Sequence, residues 1–343
     1  MDVIRSRIDT VLIDFLNTKK ATAQTDGLPT VAAQALIDFL EAGGKRLRPL
    51  LCAVGWYTAA DTLPPAPVIQ VAAALEMFHA FCLIHDDVMD SSATRRGHPT
   101  VHRTLASAYG GSHEAGASGA ILIGDLALTW SDELLHTAGL TPAQLAAVLP
   151  INDAMRTEVM YGQYLDLLAT GQLIRDTNVP LKIIRYKTAK YTVERPLHIG
   201  AALGGAGPVM LEVLSEFALP LGEAFQLRDD LLGVFGNPTH TGKPALDDVR
   251  EGKSTVLIAL ALQRATRSQA RELNGLLGCR TLTEDQAHAA RRIIESTRAH
   301  DTVNHMINRR YVRALAALNG LITGPAAIEA LHHLADRAVR RHT

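Results

Sequence analysis

Cysteine is nearly absent from this 343-residue chain: Cys52, Cys82 and Cys279 lie far apart with no paired spacing. That scarcity excludes a disulfide framework, and the three read as reduced, mostly buried thiols of a cytosolic protein. An excess of either charge is also missing. Lys and Arg number 34 against 35 Asp and Glu, a formal net charge of −1. No basic field therefore draws nucleic acid or an anionic membrane, and any anion site must be a local cluster. No uncharged apolar run reaches the ~18 residues of a membrane span; 117–130 comes nearest, and Asp125 interrupts it. The chain opens Met1-Asp2 without a charged-then-apolar leader, so no signal peptide is expected and the location predicted is cytoplasmic. Nucleophile elbows, Walker loops and dinucleotide fingerprints are lacking. The fourteen histidines form no zinc spacing with the cysteines.

What is present is helix. Strand-like alternation is scarce, and apolar stripes of period 3.6 recur. They predict helices over 2–18, 30–41, 48–60, 66–89, 115–137, 142–169, 180–203, 209–234, 253–266, 282–299, 301–319 and 324–341. Gly and Pro fall between these segments, as at Pro64-Pro65, Gly110-Gly111, Gly204-Gly205 and Gly236-Asn237-Pro238. No repeat or flexible linker divides the chain, so residues 1–343 read as one all-helical domain. Val71–Ile84 carries a single acid, Glu76, as a central buried helix would.

Two acidic motifs close apolar helical runs. The first is Asp86-Asp87-Val88-Met89-Asp90, with Arg95-Arg96-Gly97 close behind. Asp86 and Asp90 stack on one helix face, and Asp87 lies about 100° round the axis. Three carboxylates at a helix C-terminus oppose its macrodipole, so a cation is needed there. The second motif is Gln226-Leu227-Arg228-Asp229-Asp230, followed by Thr241-Gly242-Lys243-Pro244, Asp247-Asp248 and Lys253. Carboxylates in apolar surroundings are costly unless neutralised. Two such clusters with Arg and Lys behind them suit Mg²⁺ ions holding a diphosphate. A second anion candidate is Gly43-Gly44-Lys45-Arg46-Leu47-Arg48-Pro49. It places Lys45 and Arg48 near a helix N-terminus, where backbone N–H groups favour anions. Lys187-Thr188 and Gln163-Tyr164-Leu165-Asp166 sit inside helices and carry no signal of their own.

From about Gly43 to Lys253 these motifs, in this order, resemble the trans-isoprenyl diphosphate synthases. The resemblance implies the isoprenoid synthase bundle around a deep apolar cavity, usually as a homodimer. It implies Mg²⁺, three ions with substrate bound, with Mn²⁺ as a substitute. Asp86, Asp87 and Asp90 match the motif that binds Mg²⁺ and the allylic diphosphate, and Asp229 and Asp230 match the second metal motif. Arg95 matches the clamp on the allylic diphosphate. Lys45, Arg48, His79 and Arg96 match the isopentenyl diphosphate pocket. Lys187, Thr188, Gln226 and Lys243 match residues at the reacting end, and Lys253 a further phosphate-side lysine. The implied reaction is the head-to-tail (1′-4) condensation of isopentenyl diphosphate with dimethylallyl, geranyl or farnesyl diphosphate. One departure stands out: the family's second motif usually ends in a third aspartate, here Gly233.

Residues four and five before Asp86, Cys82 and Phe81, should face the floor of the cavity, with Phe78 one turn deeper as the next barrier. Phe81 predicts a C20 product, geranylgeranyl diphosphate, with farnesyl diphosphate (C15) or a longer chain as the alternative. A class I terpene cyclase would carry a different second metal motif and lack Lys45, Arg48 and Lys243. A non-catalytic partner subunit would lose the first aspartates or Arg95-Arg96, and only Gly233 favours that reading.

Overall fold

Several helices begin at caps that the sequence supplies. Thr141, Thr266 and Thr283 each accept a backbone hydrogen bond while Gln144, Gln269 and Gln286 reach back to the cap, forming three capping boxes. Ser112 caps another start by accepting from the Ala115 amide. The computed structural model describes residues 1–60, 62–236, 246–279 and 281–339. Helices α1 (Asp2–Thr25), α2 (Val31–Glu41), α3 (Leu47–Ala60) and α4 (Ala66–Met89) come first. A hairpin of β1 (Thr94–Arg95) and β2 (His98–Pro99) leads to α5 (Val101–Ala108), α6 (His113–His136) and α7 (Pro142–Ala169). Then α8 (Asn178–Ile183) runs without a break through a π-helical segment, Ile184–Glu194, into α9 (Arg195–Leu203). After α10 (Pro208–Phe235) come α11 (Asp247–Glu251), α12 (Val256–Arg264), α13 (Arg267–Leu276), α14 (Glu284–Ser296), α15 (Ala299–Ala317) and α16 (Pro325–Val339).

The fold is all-α, as the periodicity requires. The first helix runs on to Thr25, past the expected 18. Three short helices, α5, α11 and α13, and the hairpin were not expected. The two-residue strands and the five-residue α11 are too short to repeat an apolar stripe. The segment expected as one helix over 180–203 is instead α-, π- and α-helical in turn.

Apolar residues collect in two clusters. One forms on α4 with α1, α3, α6 and α7, and the other on α10 with α12, α14, α15 and α16. The π segment lies between them, giving Tyr191 to the first and Ile184 and Val193 to the second. Among the described residues α4, not 117–130, is the helix long and apolar enough to cross a membrane by length and composition. In the fold 72% of that window is buried. The C-terminal helix is tied back to the second acidic motif. Arg228 donates to the Val339 carbonyl (3.1 Å) and to Asn304 Oδ1 (3.0 Å).

Candidate active site

The C-terminal end of α4 carries the first aspartates, and Asp90 is its cap. The hairpin behind it turns through Arg96 and Gly97, with φ of 55° and 80°. Two successive left-handed residues make the tight turn that suits strand twist, and glycine takes the second without cost. The turn aims Arg95 back at α4. Its Nε donates to both Asp87 oxygens, at 2.9 and 2.8 Å, and Nη2 reaches Asp86 at 3.3 Å. On the other side, Lys187 Nζ lies 3.1 Å from Asp86 and 2.7 Å from Asp166. Lys253 Nζ lies 3.0 Å from Asp90 and 2.7 Å from Glu251.

These charges outweigh burial for one aspartate and not for another. Burial opposes the Asp86 carboxylate, yet Lys187, Lys253 and Arg95 hold its pKa well below the usual range. For Asp90 burial wins. Its pKa is raised despite Lys253, and Asp86 adds repulsion. Burial would deprotonate Lys187 and Lys253, but the surrounding carboxylates keep both charged.

The second cluster ends α10. Asp230 is buried, and Gln226 Nε2 donates to its Oδ1 at 2.9 Å. Gln226 Oε1 accepts from Thr188 at 2.8 Å, which joins α10 to the π segment. Burial, with Asp248 and Asp229 beside it, pushes the Asp230 pKa well above the usual range. A side chain at Gly233 would begin 2.7 Å from Asp248 Oδ2. The space of the missing third aspartate is therefore already filled by a carboxylate from α11. Lys243 lies outside the described residues.

The π segment presents its polar residues inward along one flank. Lys187 meets Asp86, Thr188 meets Gln226, and Thr192 accepts from Arg48 Nη2 at 2.6 Å. A Cβ on Gly162 of α7 would come within 2.4 Å of the Lys187 backbone nitrogen, so only glycine permits this approach. Arg48 stacks 4.2 Å over the Tyr191 ring, and its Nε is buried without a hydrogen-bond partner among the described residues. His79 Nδ1 pairs with Tyr191 Oη at 3.1 Å. Burial and four nearby arginines, Arg48, Arg96, Arg95 and Arg46, hold His79 neutral. Arg96 donates to the Gly43 carbonyl and lies 5.4 Å over Phe39. Lys45 stands in the same turn, its carbonyl accepting from Arg5 at 3.4 Å. Arg46 faces inward instead, to Glu76 (3.0 Å), Asp9 (2.7 Å) and the Leu40 carbonyl (2.8 Å). The lone acid of the buried α4 stripe thus has its partner.

Beneath these charges opens a cavity of about 300 Å³ between α4 and α7, at the small end for a ligand site. Asp86, Lys187 and Arg48 lie at its polar side, and Phe81, Cys82 and Val159 line the apolar part. Phe78 does not line this cavity. Its ring lies 5.3 Å behind that of Phe81. The structure thus gathers Asp86, Asp87, Asp90, Arg95, Lys187 and Lys253 in one connected charge network. Asp166, Glu251, Tyr191 and Thr192 belong to the same surroundings and were not singled out in the sequence. Asp166 ends the Gln-x-x-Asp spacing on α7, which carries no signal of its own. Tyr191 and Thr192 follow Lys187-Thr188 by one turn but carry no motif.

A profile of the family described as "Polyprenyl synthetase" matches residues 29–294. The geranylfarnesyl diphosphate synthase of Aeropyrum pernix is 32% identical over 292 residues, 84% of this chain and 85% of that protein. The farnesyl diphosphate synthase of Geobacillus stearothermophilus is 35% identical over 267 residues, 73% of this chain and 85% of that protein. Among solved structures, the geranylgeranyl pyrophosphate synthase from Corynebacterium glutamicum, complexed with isoprenyl diphosphate and magnesium, superposes with a TM-score of 0.95. It is 37% identical, with 100% of this chain and 99% of that chain covered.

Proposed function

This chain belongs to the polyprenyl synthetase family, and on that footing we propose that it condenses isopentenyl diphosphate with an allylic diphosphate, head to tail, to give geranylgeranyl diphosphate. One observation carries the reading. Asp86 and Lys187 stand paired at the polar side of an apolar cavity, with Arg95 on Asp86 and Lys253 on Asp90 beside them. The three synthases named above make prenyl chains of different length, so the product rests on this chain's own floor, Phe81.

The residues fit Mg²⁺ shared with a diphosphate. Asp230 and Asp90 are carboxylates whose ionised form burial disfavours, which a divalent cation would relieve. Among the described residues no three His, Cys, Asp or Glu form a closed metal cage. Mg²⁺ typically takes one or two carboxylates and completes its shell with water and phosphate. Asp86, Asp87 and Asp90 would hold it on one side, and Asp229 and Asp230 on the other. The chemistry it supplies when bound is neutralisation of the charge on a departing diphosphate.

The chain's own residues do the rest. Arg95, Lys187 and Lys253 are held charged and offer N–H donors to the anion that develops as the allylic C–O bond breaks. Arg48, with its unmet Nε, and neighbouring Lys45 and Arg96 receive the second diphosphate. Neutral His79 positions Tyr191 beneath it. The Thr188 hydroxyl, fixed by Gln226, directs a dipole toward the carbocation. The apolar walls exclude the water that would quench it. The double bond of isopentenyl diphosphate attacks, and the proton lost goes to the released diphosphate. Residues 1–343 act as one domain. A second copy covers the exposed apolar side chains Ile121 and Leu122 of α6 and Met160, Tyr161 and Leu168 of α7.

The test is product analysis with Mg²⁺, isopentenyl diphosphate and each allylic primer, followed by phosphatase. A C20 alcohol is the expected outcome. A C15 or longer alcohol would keep the reaction and reject the role of Phe81. No condensation with any primer would overturn the proposal.

A further inference from the structure

Behind the cavity lies a second, smaller and more enclosed space of about 10 Å³. The two lie in series between α4 and α7. On α4, Phe81, Cys82 and Asp86 line the cavity, while Val71, Leu75 and Phe78 line the smaller void. On α7 the order repeats: Val159, Gln163 and Leu167 line the first, and Val148, Asn152 and Arg156 the second. Both helices step down in the same direction, and apart from the adjacent Phe81 and Cys82 the steps are of three or four residues, the spacing of one helix face. The void is thus the continuation of the cavity. The partition between them is the pair Phe81 and Phe78.

The far side of that partition carries three polar side chains, Ser131, Asn152 and Arg156, among apolar ones. The Arg156 guanidinium lies 5.1 Å over the Phe78 ring. Its Nη1 pairs with Asp132 and its Nη2 donates to Ser131 Oγ at 2.9 Å, both on α6. Its Nε is buried and has no hydrogen-bond partner among the described residues. A hydrocarbon tail that displaced Phe78 would lie against this guanidinium and Asn152, stripping water from a charge with an N–H already unmet. Burial of that kind is penalised.

We infer that Arg156 limits product length behind the Phe81 floor: it holds Phe78 in place at the back of Phe81 and forms a polar stop beneath it. The inference rests on the reading that the growing prenyl chain enters this cavity. Ion pairing with Asp132 gives Arg156 a bland alternative role, that of fastening α7 to α6. The two roles separate because only the stop is felt by the product.

The experiment compares product lengths in Phe81→Ala/Phe78→Ala with and without Arg156→Met, and with Arg156→Lys. The double variant is expected to make chains longer than the parent that end sharply. Adding Arg156→Met should extend them by at least one isoprene unit, while Arg156→Lys, which keeps the charge, should not. Asp132→Asn in the double variant weakens the fastening but leaves the guanidinium, and should leave product length unchanged. Equal products with and without Arg156→Met, in a background where Phe81→Ala has lengthened the chain, overturn the role of Arg156 alone. No lengthening from Phe81→Ala overturns the cavity reading and this inference with it. Should the triple variant not fold, Arg156→Met alone decides. The ratio of longer to main product is then expected to rise about tenfold, the factor for one unmet buried donor. An unchanged ratio overturns the inference.

Discussion

Phe81→Ala removes a ring that lines the cavity, and two opposing free energies follow. The ring is 8% exposed and touches Phe78 (5.3 Å between centroids) and His85 (4.7 Å). Truncating a buried phenylalanine costs about 3–5 kcal/mol, and a ring that faces a cavity falls at the low end. For a chain of this size each kcal/mol lowers Tm by about 2 °C, so the variant should melt roughly 6 °C lower. The vacated space admits one more isoprene unit. Burying its carbons at about 0.8 kcal/mol each favours the longer chain by up to ~4 kcal/mol. Every 1.4 kcal/mol is about tenfold, so the longer product should gain by ~10²–10³ and become the main one. The assay incubates parent and variant with farnesyl diphosphate, isopentenyl diphosphate and Mg²⁺ and separates the dephosphorylated alcohols. A variant that melts lower but returns the parent's product distribution within threefold would refute the reasoning. Phe81 would then be core packing and no floor.

Asp86→Asn removes the carboxylate shared by Lys187 and Arg95, and kcat should fall about 10²–10³-fold; near-parental turnover would remove Asp86 from the mechanism. Chelation with EDTA should abolish condensation, and excess Mg²⁺ or Mn²⁺ should restore it. Activity that persists in the chelator would reject the metal. Glu158 concerns acid stability. Burial would raise its pKa, but hydrogen bonds from Arg195 and Lys190 hold it below the ordinary 4.5. A depressed carboxylate contributes stability that is present above that ordinary value and lost as pH falls through the folded-state value. Denaturant titrations should therefore show a shallower acid-side slope for Glu158→Gln, and an identical slope would reject the attribution. Cys82 lines the cavity, and burial pushes its thiol up to about 11. Its alkylation, followed by peptide mass mapping, should be slow at pH 8 and slower still with allylic diphosphate bound; fast labelling unaffected by substrate would place it outside the cavity.

The helices were legible because their signal is local. A stripe of period 3.6 repeats within a few turns, and Asp86 and Asp90 share a face by spacing alone. The two acidic ends could be found the same way, since carboxylates closing an apolar run stand out without any knowledge of packing. The hairpin and α11 were not legible, because two-residue strands and a five-residue helix show no period. Nor was the π segment, whose i→i+5 bonding no residue pattern announces.

The chemistry of individual groups was decided only by the tertiary structure. Lys187 reaches Asp86 across 101 positions, and Arg48 reaches Thr192 across 144. Asp248 fills the room beside Gly233, Arg46 turns inward to Glu76 while Arg48 faces the site, and Phe78 stands behind Phe81 with Arg156 at its back. The sequence by itself determined which carboxylates and cations this chain owns and on which helix faces they lie. Which of them meet, and which are buried together, depends on how helices distant in the chain pack. Burial and pairing set the charge and donor state of each group, and those follow from three-dimensional contact and not from spacing.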